Sequence, residues 1–149
     1  MNQKKALIAM SGGVDSSVAA WLTAQEGYHC MGAIMRLYEG EEGKCCAPEA
    51  VDDARSVARK LGMDFHVFPM TEGFSRLVID DFVRCYEEGL TPNPCIRCNQ
   101  NFKFSAFLDK ALELGCDYIV TGHYARIARD TATGRYLLYK AADSAKDQS

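Results

Sequence analysis

No stretch of the 149 residues keeps up the run of about 18 apolar residues that a membrane-spanning helix needs. The basic opening MNQKK leads into the apolar ALIAM, which breaks at Ser11-Gly12-Gly13, too early for a secretory leader. Both absences predict a cytoplasmic chain with no membrane partner. Internal repeats, low-complexity segments and linkers are also missing, so residues 1–149 are read as one domain. At this length a domain buries roughly 70% of its unfolded surface and needs no staples. An even cysteine set is lacking as well: there are seven, at 30, 45, 46, 85, 95, 98 and 116. An odd number without a secretion signal argues for thiol or metal chemistry over a disulfide framework. Cys30, Cys85 and Cys116 lie within apolar patterns and are expected to be small core residues. Strong charge is absent too. The net charge is -3, with eight Lys/Arg against six Asp/Glu from Thr91 onward, which leaves -5 for residues 1–90. The second half could thus face phosphates, although ordinary solvated charge accounts for so small a difference equally well.

What is present is an alternation of strand and helix patterns. KALIAM, HCMGAIMRLYE and DFHVFPM read as buried strands. Between them lie a helix from Asp15 to about Gln25 and a second, PEAVDDARSVARKLG, opened by Pro48 and closed by Gly62. EGFSRLVIDDFVRCYEEG has helical spacing, with Phe74, Leu77, Val78, Phe82, Cys85 and Tyr86 on one side. TPNPCIRCNQN reads as a loop because Pro92 and Pro94 push their predecessors away from helical angles. FKFSAFLDKALELG is the next helix and DYIVTGHYARIA a strand, which DTATG turns back into RYLLYKA as a β-hairpin. The predicted class is α/β: a parallel, Rossmann-like sheet that binds ligands beyond the carboxyl ends of its strands, with a carboxyl-terminal hairpin.

SGGVDSS, residues 11–17, joins the first strand to the first helix. Gly12 and Gly13 permit close backbone approach, and the N–H groups of the helix's first turn attract an anion. The hydroxyls of Ser11, Ser16 and Ser17 add donors suited to phosphate oxygens. Neither G-x-G-x-x-G nor G-x-x-x-x-G-K-[ST] is present, so γ-phosphate transfer is a poor expectation. Asp15 would repel a phosphate unless it caps the helix or shares a Mg²⁺ with the ligand.

This loop resembles that of the PP-loop ATP pyrophosphatases, S-G-G-x-D-S, which grips the pyrophosphate of ATP while the α-phosphate is attacked. TPNPCIRCNQNFKF, TGHYAR and KAADSAKDQS resemble, in order and spacing, signatures of the tRNA-specific 2-thiouridylases. The resemblance implies adenylation of the carbonyl oxygen at carbon 2 of the wobble uridine by ATP, then displacement of AMP by sulfur. It implies that Ala9, Met10, Ser11, Gly12, Gly13, Val14, Asp15 and Ser16 hold ATP, with Ser17 adding a donor. Met35 would pack near the adenine and Gly122 complete the pocket. Position 9 is alanine where the family usually has glycine. Cys98 falls on the family's nucleophile, Asn93, Pro94 and Cys95 on residues that contact the flipped-out base, and Lys146, Asp147 and Gln148 on a stretch that contacts tRNA. A free thiol is only about 3% ionised at pH 7, and Arg97 or Lys103 could raise that fraction. His123 is read either as a general base or as a hydrogen-bonded structural residue.

Two departures leave alternatives open. Many members have P-N-P-D-x-x-C where this chain has Cys95, and Cys95 with Cys98 resembles two ligands of the three-cysteine [4Fe-4S] cluster of some tRNA thiolases. A persulfide on Cys98, a cluster and a zinc site all follow from that pair, and so does an inert Cys95. Cys45-Cys46 receive no role. The chain also stops inside KAADSAKDQS, whereas the family continues with a partner cysteine, a tRNA-binding region and a β-barrel. The sequence is therefore read as the amino-terminal adenylating half, with ATP and Mg²⁺ as ligands and with tRNA and a sulfur-donor protein as partners. The rivals are another PP-loop adenylating ligase and a catalytically incomplete nucleotide- or metal-binding module.

Overall fold

The structure, a computed structural model, describes residues 3–37 and 48–148. Four parallel strands form its centre: β1 (Lys5–Ala9), β2 (His29–Arg36), β3 (Asp64–Pro69) and β4 (Tyr118–Val120), in the order β3-β2-β1-β4. β1 pairs on both sides, Leu7 with Met31 of β2 and with Ile119 of β4. Alternation at period two then sorts its side chains. Leu7, Met31, Ala33 and Met35 belong to a cluster with Val78, Phe102, Phe107 and Ala111. Ile8, Met10, Cys30 and Ile34 belong to another with Ala20, Val51, Ala54 and Ala58. A sheet covered on both faces needs strands that are apolar throughout, which is why β1 and β2 read as unbroken apolar runs.

Helices α1 (Val14–Gln25) and α2 (Pro48–Lys60) cover the second face. Ala54 and Ala58 on α2 let it approach closely, and a Cβ on Gly32 of β2 would lie 2.7 Å from the Met10 sulfur. Helix α3 spans 71–87 and α4 spans 94–113; together they cover the first face. Each contains a wide, π-type stretch, Ser75–Ile79 in α3 and Asn99–Ala106 in α4. Phe74 and Phe102 meet across these helices with ring centroids 5.7 Å apart. Strands β5 (Arg126–Arg129) and β6 (Tyr136–Tyr139) form the expected antiparallel hairpin, exposed along both strands. Among the described residues, no helix is long and apolar enough to cross a membrane.

The sequence reading needs four corrections. TPNPCIRCNQN is a loop only as far as Asn93, because helix α4 begins at Pro94. The Asn93 side chain accepts the Ile96 N–H at 3.2 Å, and Pro94 stands at the first helical position, where its missing N–H costs nothing. DYIVTGHYARIA is not one strand: pairing lapses after Val120 and resumes at Arg126 in a separate sheet. The face read off 74–86 drifts out of phase across the wide turn, leaving Leu77 42% and Tyr86 58% exposed while Val78 is buried. Cys30 and Cys116 are buried as expected, but Cys85 is only half-buried. Cys45 and Cys46 lie outside the described residues.

Candidate functional site

The strand order puts a reversal beside β1. From β1 the chain moves outward to β2 and β3, then crosses back to place β4 on the other flank of β1. The loops leaving β1 and β4 therefore diverge, and the crevice between them is the place where open α/β sheets bind ligands. SGGVDSS leaves β1; Thr121-Gly122-His123 leaves β4.

The loop is held by its own polar groups. Gly13 is the N-cap of α1, and its carbonyl accepts from the Ser16 hydroxyl at 3.1 Å, the Ser17 hydroxyl at 2.8 Å and the Ser17 N–H at 3.3 Å. Ser16 is buried, and its oxygen also accepts the Ser11 N–H at 3.2 Å. With the Ser16 proton on Gly13, the 3.2 Å contact between the two serine hydroxyls has Ser11 as donor. The first intrahelical bond comes from Ser17, so the Val14, Asp15 and Ser16 N–H groups precede it and have no intrahelical partner. These three amides and the positive end of α1 are the anion-attracting elements, while the serines chiefly shape the loop. Gly12 has φ +77°, and a Cβ there would lie 2.7 Å from the Ala50 carbonyl oxygen of α2. Asp15 does not cap the helix; it stands exposed in the first turn.

Gly122 explains the break after β4. A Cβ on it would lie 2.9 Å from the Ser16 nitrogen and 3.0 Å from the Asp15 carbonyl carbon, so only glycine lets this backbone reach the first turn of α1. His123 follows, with Nδ1 at 2.8 Å from the Thr121 hydroxyl and its ring 5.6 Å from that of Phe104. Burial, and then the nearby Lys103 ammonium, hold its pKa below the ordinary value. Next, the Tyr124 hydroxyl donates to Asp15 Oδ1 at 2.6 Å. That bond is the main cause of a raised phenol pKa, which keeps the donor protonated. Nothing in the sequence pattern joins residues so far apart in the chain.

The tail docks on the same residue. The Tyr124 N–H donates to Gln148 Oε1 at 3.1 Å, and the Gln148 N–H donates to the Tyr124 carbonyl at 3.0 Å. Asp147 Oδ1 accepts from the Ala141 N–H at 2.8 Å. Lys146 is exposed.

Cys95 and Cys98 occupy successive turns at the start of α4, Cys95 exposed and Cys98 half-buried. Cys98 packs against the cluster that includes buried Met35 and that Ala9 also touches, so the thiol, the end of β1 and Met35 share one face of the sheet. Arg97 does not stand free beside it: its Nε donates to Asp81 at 2.9 Å, and Asp81 also pairs with Arg84. This bridge fixes the start of α4 against α3. Asn99 follows Cys98, and its Oδ1 is buried without a hydrogen-bond donor among the described residues.

Asp15, one carboxylate beside an anion-attracting helix terminus, fits a Mg²⁺ carried in with phosphate oxygens. Among the described residues no group of three His, Cys, Asp or Glu could hold a metal, and Cys95 and Cys98 offer two of the three thiols that a cluster site takes. A separate cleft of about 540 Å³ lies between α1 and α2, lined by Val18, Trp21, Val57 and Leu61 among others. It borders the loop at Gly12, Gly13, Val14 and Ser17, and none of Met35, Cys98 and Gly122 lines it, so it is distinct from the crevice between β1 and β4.

Residues 4–149 match the family described as the tRNA methyl transferase HUP domain. The chain belongs to that family. Among curated members, it is 52% identical over 98% of its length to the tRNA-specific 2-thiouridylase MnmA of Clostridioides difficile. It is 50% identical over 99% of its length to MnmA 2 of Clostridium tetani. The family description and these members name different transferred groups. The chain spans 42% of the length of each of the two relatives. Among solved structures, the U34-tRNA thiolase NcsA from Methanococcus maripaludis with its [4Fe-4S] cluster has a TM-score of 0.60 and 23% identity, over 83% of this chain and 40% of that one. This likeness supports the Rossmann-like fold.

Proposed function

We propose that this chain is the ATP-binding, adenylating part of a cytoplasmic tRNA 2-thiouridylase, acting on the wobble uridine. The observation that carries the reading is the crevice between β1 and β4, where the first turn of α1, with the amides of Val14, Asp15 and Ser16, is approached by Gly122 at the Asp15–Ser16 peptide. In this reading the pyrophosphate of ATP lies against those amides, and Asp15 shares a Mg²⁺ with it. Ala9, Met10, Gly12 and Gly13 form the wall, and Met35 supports the adenine side. The uridine oxygen at carbon 2 bonds to the α-phosphorus and pyrophosphate leaves. An amide-like oxygen is a poor leaving group, and joining it to AMP makes it a good one. Sulfur then bonds to carbon 2 as AMP departs; where it arrives as a Cys98 persulfide, a second thiol attacks the Cys98 sulfur, and the S–S bond to the transferred atom breaks to leave a disulfide.

Cys98 is the nucleophile's place, supplied by a sulfur-donor protein such as a cysteine desulfurase or a sulfur relay. Cys95 flanks it on the exposed side, and Asn93, Pro94 and the Lys146–Gln148 tail face the tRNA. Cys95 and Cys98, in successive turns of α4, serve equally a persulfide on Cys98 and two ligands of a cluster. The test is AMP formation from ATP by this chain, with and without tRNA lacking 2-thiouridine. The expected result is AMP that depends on that tRNA. AMP without any tRNA would favour a different PP-loop adenylating ligase. ATP binding without AMP under either condition would make the chain a nucleotide-binding half.

A further inference from the structure

Tyr124 stands between two parts of the proposed site without belonging to either. Its side chain reaches the nucleotide loop, donating to Asp15 Oδ1 at 2.6 Å. Its backbone is clasped by the tail: Gln148 Oε1 accepts its N–H at 3.1 Å, and its carbonyl accepts the Gln148 N–H at 3.0 Å. A residue bonded in this way on both sides has little freedom to move at one end alone. Gly122, two residues earlier, pins the same segment to the Asp15–Ser16 backbone. The tail is itself held, because Asp147 Oδ1 accepts from the Ala141 N–H at 2.8 Å. The exposed Lys146 is thus three short steps from the loop: through Gln148, through the Tyr124 ring, to the Asp15 carboxylate.

We infer that Tyr124 is a positioning residue that orients Asp15 for Mg-ATP and makes that orientation depend on how the Lys146–Gln148 tail is seated. An aspartate has two oxygens and a rotatable carboxyl group. One oxygen fixed by a neutral donor leaves the other set in direction, and no protein group among the described residues bonds to Asp15 Oδ2. An RNA phosphate or base that drew the tail away would loosen the Asp15 carboxylate, and one that pressed the tail home would secure it. Coupling of this kind is reciprocal: Mg-ATP on the loop would tighten the tail by the same factor. The inference rests on Asp15 acting toward Mg-ATP as proposed above.

The test uses the 149-residue chain and two readouts. One is the dissociation constant for ATP with Mg²⁺ and with EDTA. The other is hydrogen exchange of the Ser11, Gly13 and Ser17 amides, which needs no ligand. Tyr124→Phe, a change at an exposed position that keeps the ring, should weaken Mg-ATP about fivefold, the effect of one lost hydrogen bond, and leave free ATP within about twofold. Gln148→Ala should weaken Mg-ATP about two- to threefold, and the double variant should be no weaker than Tyr124→Phe alone. Both single variants should speed exchange at the loop amides with an unchanged melting temperature. In an Asp15→Ala background, Tyr124→Phe should have no further effect. Equal losses for Mg-ATP and free ATP, additive losses in the double variant, or a loop unmoved by Gln148→Ala would each overturn the inference. If the unaltered chain binds no Mg-ATP, the functional reading falls and takes this inference with it. If it binds in an Asp15-dependent way and Tyr124→Phe changes nothing, the inference alone falls.

Discussion

β1 and β5 begin with similar claims to a core, LIA in one and RIAR in the other, and end in opposite states. Leu7 and Ile8 of β1 are wholly buried between two layers of helix, whereas Ile127 of β5 is 71% exposed. β1 is paired on both edges, while β5 has, among the described residues, only β6 beside it. The crevice is made where these two kinds of structure meet. One wall comes from the buried sheet, which cannot shift without losing its core. The other side comes from 121–148, held to the first turn of α1 by the close approach of Gly122 and the hydrogen bond from Tyr124 to Asp15. The division puts stability in the first region and leaves the second adjustable.

Substitutions sharpen the contrast in order of size. Leu7→Ala in β1 should cost about 2–5 kcal/mol of unfolding free energy in urea, the usual penalty for a cavity in a packed core. A value under about 1 kcal/mol would mean that the sheet is less tightly packed than its burial implies. Gly122→Ala forces a methyl group against the Asp15–Ser16 backbone and should cost about 1–3 kcal/mol. ATP affinity should fall with it, by isothermal titration; unchanged affinity would remove Gly122 from the nucleotide wall. Asn93→Ala removes the cap of α4 and should cost about 1 kcal/mol in thermal unfolding. A loss of thiolation far beyond that destabilisation would give Asn93 the base-contacting role as well. Ile127→Ala should stay within about 0.5 kcal/mol, as exposed substitutions do. A larger effect would show that the hairpin carries buried area not visible in its exposure.

The sheet side of this comparison was legible in the sequence. Its strands are apolar runs ended by glycine or a helix start, and SGGVDSS lies where a strand hands over to a helix. The other side was harder to read because its signals are local and compete. Pro92 and Pro94 look like paired helix breakers, yet Asn93 followed by Pro94 is also a helix opening, and the Asn93 cap decides between the two. The wide turn at Ser75–Ile79 spoils a face counted at 3.6 residues per turn, so Leu77 was placed inside and lies outside. TGHYAR looked like a continuing strand because the requirement that interrupts it, the approach of Gly122 to α1, comes from residues more than a hundred positions away. The Tyr124–Asp15 bond has no periodic signature for the same reason.

The late arrival of β4 also orders events in time. β1, β2 and β3 leave the ribosome as a contiguous unit, but the second edge of β1 waits for Tyr118–Val120. At roughly 5–20 residues per second, the intervening 70–117 takes several seconds to synthesise. Until then Leu7 and Ile8 border an unpaired edge, of the sort that recruits stray strands. A nascent chain thus carries SGGVDSS well before it has Gly122 to close the crevice, which is complete only once β4 has added to β1.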